Sequence, residues 1–267
     1  MRWILLFMLI FAVPTVSADT ANPQVKFSNG LSLVSNELSD DMISPKGLGL
    51  MFDNNPKTSW KFQERDKRYG RKSAQLKINS EKYPLTKIFI TNKCNGLNKI
   101  RVTNEVGSAL GTLTDEGEGN YSILLDNEND ANVHFEGSNI CIPSMNIYSN
   151  DVELTNAPFI SSSGGSYSEV SFYANKKWVV NFKPGNVANY YYLEDGGYAC
   201  FDLMLEFGPP AGIRVYNTKT LAKLDIVKGE YLEPSTIKWS GNIVTGILVK
   251  PENDWQKKKF RIVVSFP

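Results

Sequence analysis

The sequence predicts an all-β protein of two consecutive β-sandwich domains, and three observations carry that prediction. Short runs alternate apolar and polar residues with the period of two that half-buried strands require. Gly, Pro and Asn punctuate those runs at intervals of roughly 10 to 15 residues, the spacing of sandwich and barrel strands. No stretch shows a helical period of comparable strength.

The chain opens Met1-Arg2-Trp3, runs apolar from Ile4 to Val13 and continues Pro14-Thr15-Val16-Ser17-Ala18. A basic start, an apolar core of about ten residues and a small-residue ending make a secretory signal peptide. Residues 1–18 are expected to be removed after Ala18, leaving Asp19 first. The apolar run is short of the roughly 20 residues that span a bilayer, and no later stretch reads as a transmembrane helix. The expected product is secreted or periplasmic, with no membrane span after signal removal. A net charge of +1 offers no field to recruit nucleic acid or an anionic membrane surface.

An exported chain meets oxidising conditions, so its three cysteines, Cys94, Cys141 and Cys200, suggest one disulfide and one thiol left over. Cys94 and Cys141 share one half of the chain and are the candidate pair. The alternative is three buried thiols acting as small hydrophobes.

Residues 19–155 hold the first run of strands. Val25 to Ser28 is a candidate opening strand, followed by Ala74 to Ile78, Leu85 to Thr91, Lys99 to Thr103, Tyr121 to Leu125 and Ile140 to Tyr148. Asn95-Gly96 breaks the series with a turn. Ser161-Ser162-Ser163-Gly164-Gly165-Ser166 then reads as a flexible Gly/Ser linker, placed at 156–168. The second sandwich, 169–267, is read from Trp178 to Phe182, Tyr198 to Phe207, Gly212 to Tyr216, Ile243 to Val249 and Phe260 to Val264.

Few residues are arranged for catalysis. His134 is the single histidine, which leaves no His pair at metal spacing and no partner set for a Ser or Cys nucleophile. No phosphate-binding Gly loop is present. Paired carboxylates could hydrolyse glycosides, but 28 Asp and Glu residues without a motif do not locate such a pair. No cofactor is expected.

The most structured loop is Asp53-Asn54-Asn55-Pro56-Lys57-Thr58-Ser59-Trp60. Asx side chains bond the backbone two residues on, and Pro56 fixes φ for a tight turn. Leu50, Met51, Phe52 and Trp60 would pin it to the core. Asp53, Asn55 and Thr58 place three oxygen-bearing side chains within six residues, enough to contribute to a structural calcium site. The competing reading is that they satisfy the turn's own backbone. Lys61 through Lys72 carries six bases against two acids, and Asp115 through Asp130 carries six acids and no base. Such runs are usually solvated loops, and the two could face each other. The run Tyr190-Tyr191-Tyr192 suits sugar rings or interfaces as well as strand packing.

The stretch Leu50 to Trp60 resembles the Leu-Phe-Asp-Gly-Asp-Pro-Ser-Thr-Ala-Trp signature of galactose-binding-like, discoidin-type domains, in the variant of the bacterial NADase-type glycan-binding module. Gly70 with Ala74 to Ile78, Ile88 to Asn92, Asn98 to Val102, and Asn139 to Tyr148 resemble later segments in the same order. The resemblance covers residues 25–150. Asn54 stands where the family has Gly, and Asn tolerates the left-handed conformation. Met145 stands where the family has a Glu that often helps hold calcium.

The resemblance implies a jelly-roll sandwich that binds a glycan or another cell-surface ligand through loops at one end. The corresponding loops are Asp53 to Lys72, Asn92 to Asn98 and Glu136 to Asn139. The candidate contacts are Arg65, Arg68, Tyr69, Arg71, Asn92 and Asn95, with the arginines suited to an acidic sugar or a partner's carboxylates. The expected function is an exported, non-enzymatic binding protein. The alternatives are a protein-interaction module (adhesin, secretion accessory or enzyme inhibitor) and a carboxylate-dependent glycosidase.

Overall fold

The computed structural model describes residues 22–35, 47–63, 73–164, 168–204, 210–227, 231–233, 236–250 and 256–265. Residues 1–21, the part of the basic stretch at 64–72 that contains Arg65, Arg68, Tyr69 and Arg71, and residues 165–167 of the 156–168 segment lie outside these residues.

The chain is built from strands. In order they are β1 (Gln24–Phe27), β2 (Leu31–Ser35), β3 (Trp60–Gln63), β4 (Ser73–Ser80), β5 (Leu85–Thr91), β6 (Leu97–Thr103), β7 (Thr112–Gly117) and β8 (Asn120–Glu128). There follow β9 (Asp130–Gly137), β10 (Asn139–Ile142), β11 (Ser144–Ser149), β12 (Val152–Glu153), β13 (Phe159–Ser162), β14 (Val170–Ala174), β15 (Lys177–Phe182) and β16 (Val187–Leu193). The last are β17 (Tyr198–Met204), β18 (Pro210–Asn217), β19 (Lys223–Ile226), β20 (Tyr231–Leu232), β21 (Lys238–Ser240), β22 (Ile243–Lys250) and β23 (Gln256–Val263). Short 3-10 turns sit at Gly47–Met51 and Leu154–Asn156.

The first sandwich packs an eight-stranded sheet, β15-β14-β13-β1-β2-β4-β9-β6, on a five-stranded sheet, β12-β11-β5-β8-β7. Its core is the alternating set the sequence predicts. Leu76 and Ile78 of β4 and Val133 and Phe135 of β9 meet Ile88 and Ile90 of β5 and Ile147 of β11. The predicted strand from Ile140 to Tyr148 is broken at Pro143, which has no N–H to give a ladder. Its first part, β10, pairs with β3, and its second part, β11, pairs with β5.

The linker assigned to 156–168 is corrected at its centre. Phe159 to Ser162 is strand β13, hydrogen-bonded to β1 on one side and β14 on the other, and all four of its residues are buried. The eight-stranded sheet therefore runs through the boundary drawn between 19–155 and 169–267. Alternation along β13 and β14 divides two cores: Phe159 and Tyr173 face the first, while Ile160 and Phe172 face a second.

That second core is closed by a four-stranded sheet, β16-β17-β18-β19, which supplies Tyr190, Ala199, Phe201 and Tyr216. The opposite face of the same sheet presents Cys200, Ile213, Val215 and Ile226 to a third core shared with Val244 and Leu248 of β22. Among the described residues the result is four larger antiparallel sheets in successive layers with three cores between them, beside the two-stranded sheet of β3 and β10. Among the described residues no helix is long and apolar enough to cross a membrane.

Candidate functional site

The turn at Asp53 is organised by its own side chains. Asp53 Oδ1 accepts from the Asn55 N–H at 3.0 Å and from the Thr58 hydroxyl at 2.8 Å. Asn55 Oδ1 accepts from the Lys57 N–H at 3.0 Å, and Asn54 takes φ +54°. Asp53, Asn55 and Thr58 thus bond to one another and to the backbone, as Asx turns do. Among the described residues no group of three His, Cys, Asp or Glu side chains is placed to hold a metal.

Both ends of the turn are tied down. Trp60 is buried and meets the Phe135 ring edge-on at 6.0 Å. From the other side the Tyr173 hydroxyl donates to the Asp53 carbonyl at 2.8 Å, so a strand of the second half holds the signature turn. Tyr173→Phe would leave that buried carbonyl unpaired. The expected cost is about 1–3 kcal/mol, read as a lower urea midpoint with an unchanged slope.

The loops named by the sequence meet at this end. Lys93 Nζ donates to the Pro56 carbonyl at 2.7 Å, its N–H donates to the Cys141 carbonyl at 2.9 Å, and the Ser138 N–H reaches the Gly96 carbonyl at 3.0 Å. Cys94 and Cys141 are joined by a disulfide with Cα atoms 5.2 Å apart, while Cys200 is free and buried. The Cys200 thiol is pushed far up by burial, and next by the carboxyl of Asp202, which leaves it an inert core group.

Beside the disulfide lies a concavity of about 540 Å³ lined by Asn92, Lys93, Cys94, Asn95, Leu97, Glu118, Gly119 and Tyr121. Asn92 and Asn95, paired as ligand contacts in the sequence, take different roles here. Asn92 is buried, its Nδ2 donates to the Cys94 carbonyl at 2.6 Å, and its Oδ1 accepts from the Cys141 N–H at 3.1 Å. With both ends of its amide engaged, Asn92 positions the cross-link while lining the concavity. Asn95 is exposed at the rim.

Glu118, Gly119 and Tyr121 were not among the sequence candidates. Tyr121 lies at the start of strand β8, while Glu118 and Gly119 form the β7–β8 turn, where Glu118 takes φ +54° and Gly119 φ +77°. A Cβ on Gly119 would lie 2.2 Å from the Asn92 carbonyl, so glycine is required for the turn to close over the concavity. The available signal was Gly117-Glu118-Gly119 itself, a turn inside an acidic stretch read only for its charge.

His134 lies away from this concavity on β9. Its Nε2 is 3.0 Å from the Thr103 hydroxyl, and burial, then Arg101, holds its pKa below the usual imidazole value. Tyr190, Tyr191 and Tyr192 serve packing: Tyr190 is buried in the second core, and the Tyr192 hydroxyl donates to the Pro158 carbonyl at 3.2 Å.

No family model matches the chain, and no curated protein matches it. Among solved structures it is similar to CpGH89CBM32-6 produced by Clostridium perfringens, at 15% identity and a TM-score of 0.34, covering 45% of this chain and 94% of that one. It is also similar to a Ruminococcus gnavus GH29 fucosidase in complex with fucose, at 17% identity and a TM-score of 0.31, covering 45% of this chain and 25% of that one. The matched part thus spans a quarter of the fucosidase's length.

Proposed function

We propose that the chain is an exported binding protein that takes a glycan at the concavity between the Asn92–Leu97 turn and the β7–β8 turn. The observation that carries this reading is the concavity itself, preformed and braced by a disulfide and by the buried Asn92 amide. Its rim offers an amide from Asn95, a carboxylate from Glu118 and the partly buried ring of Tyr121. Planar polar groups beside an aromatic face suit the hydroxyls and apolar face of a sugar. Rigid support from beneath lowers the ordering cost of binding.

Binding is favoured over hydrolysis because, among the described residues, the lining includes a single carboxylate, Glu118, whereas glycoside hydrolysis uses two flanking the scissile bond. Export accords with a disulfide at the heart of the site, since such bonds persist in oxidising compartments.

The test is a glycan array with the mature chain, followed by titration of the best ligand against Asn95→Ala and Glu118→Gln. Both residues are exposed, so folding should be retained. Each is expected to weaken binding about tenfold, or 1.4 kcal/mol. An empty array, with a protein captured instead from envelope extract, would replace the glycan reading by the protein-interaction one.

A further inference from the structure

Among the edge strands of the described residues, β7 and β23 border the five-stranded sheet and the last sheet and carry opposite charge. β7 ends the five-stranded sheet, bonded to β8, and all six of its residues are exposed. β23 borders the last sheet, bonded along Ile243–Lys250 of β22, and is exposed at most positions. A row of unpaired N–H and C=O groups is a template for another strand.

The two edges carry opposite charge. From Thr112 to Asp130 the chain has six acids and no base, including Asp115 and Glu116 on β7 itself. β23 carries Lys257, Lys258, Lys259 and Arg261 and no acid. Lys257 is engaged by Glu233 at 3.0 Å, while Lys258, Lys259 and Arg261 are exposed. Pairing either edge with its own kind would set like charges opposite one another, which is destabilising across a ladder; pairing unlike edges reverses the sign.

We propose that β23 of one copy adds to β7 of a second copy of this chain as an antiparallel strand. Since the two edges differ, the contact is heterologous and propagates head to tail, not as a two-fold dimer. The bulge between Asp115 and Gly117 limits the regular part of β7 to its first residues, so the contact is short and reversible.

Sedimentation velocity on the mature chain tests this over a concentration series at low salt. The weight-average sedimentation coefficient should rise with concentration. It should fall back as salt goes from about 0.01 M to about 1 M, where the screening length shrinks from about 30 to about 3 Å. Lys258→Glu/Lys259→Glu and Asp115→Lys/Glu116→Lys should each weaken association about tenfold or more. Mixing the two variants should restore it, because every unlike edge pair is then regenerated between them. A chain that stays monomeric at low salt, or a mixture no more associated than its components, would overturn the proposal.

Discussion

Replacing Cys94 and Cys141 together by Ala is expected to lower stability by about 4 kcal/mol and to abolish the proposed binding at the concavity. The cross-link closes a loop of 47 residues, and the chain-entropy relation for a loop of that length gives about 4 kcal/mol at 25 °C. For a chain of this size the melting temperature should drop on the order of 10 °C. The local effect adds to the global one. The Asn92 amide is held between the Cys94 carbonyl and the Cys141 N–H, so losing the cross-link also releases the group that supports the concavity's floor. Urea denaturation of the oxidised chain, the reduced chain and the double variant would measure it. A difference below about 1 kcal/mol would mean that this loop is already closed in the unfolded ensemble, and would remove the disulfide from the account of the site.

Much of this fold is legible in alternation, because a strand with one buried face must write that face at every second residue. β4 and β9 do so, as does β5 from Ile88 past its irregular start, and their inward residues are fully buried. Two kinds of element escape the pattern for different reasons. β7, Thr112–Gly117, is exposed on both faces, so nothing constrains its hydrophobicity. β13 escapes by the opposite route. Its Ser161 is fully buried and its hydroxyl accepts the Gly49 N–H at 3.1 Å, while a Cβ on Gly49 would lie 2.8 Å from the Ser161 Cβ. Small residues are needed there because the 3-10 turn before the signature presses on the strand, and composition alone reads such residues as a linker. For the site, the two loops that carry turn chemistry in their sequence, Asp53 to Trp60 and Asn92 to Asn98, were legible. Glu118 and Tyr121 were not, because their proximity to Asn92 depends on β8 pairing with β5, a long-range register that local sequence does not encode.

Lowering the pH from about 7 to about 5 is expected to stabilise the packing of the last two sheets through Asp202. Asp202 is 5% exposed on β17. It accepts from Asn189 Nδ2 at 3.3 Å and from the Tyr191 hydroxyl at 3.4 Å, and that hydroxyl in turn accepts from Trp239 Nε1 of β21 at 2.6 Å. Burial raises its pKa to about 6 from an ordinary 3.8, against the opposing hydrogen bonds of Asn189 and Tyr191. The folded chain therefore holds the proton more tightly than the unfolded one between these values, and stability falls as pH rises through that window. At about 1.4 kcal/mol per unit, the ionised carboxyl costs about 3 kcal/mol at neutral pH, and nearly half of that is recovered by pH 5. His134 acts in the opposite sense, since its depressed pKa makes acid unfavourable. The comparison must therefore be made against Asp202→Asn, which keeps the shape and His134 and removes the titration. Urea midpoints of the two proteins should approach one another by about 1 kcal/mol between pH 7 and pH 5. If the gap is constant across that range, Asp202 stays ionised in the fold, and the chain from Trp239 through Tyr191 is a charged network whose hydrogen bonds outweigh its burial.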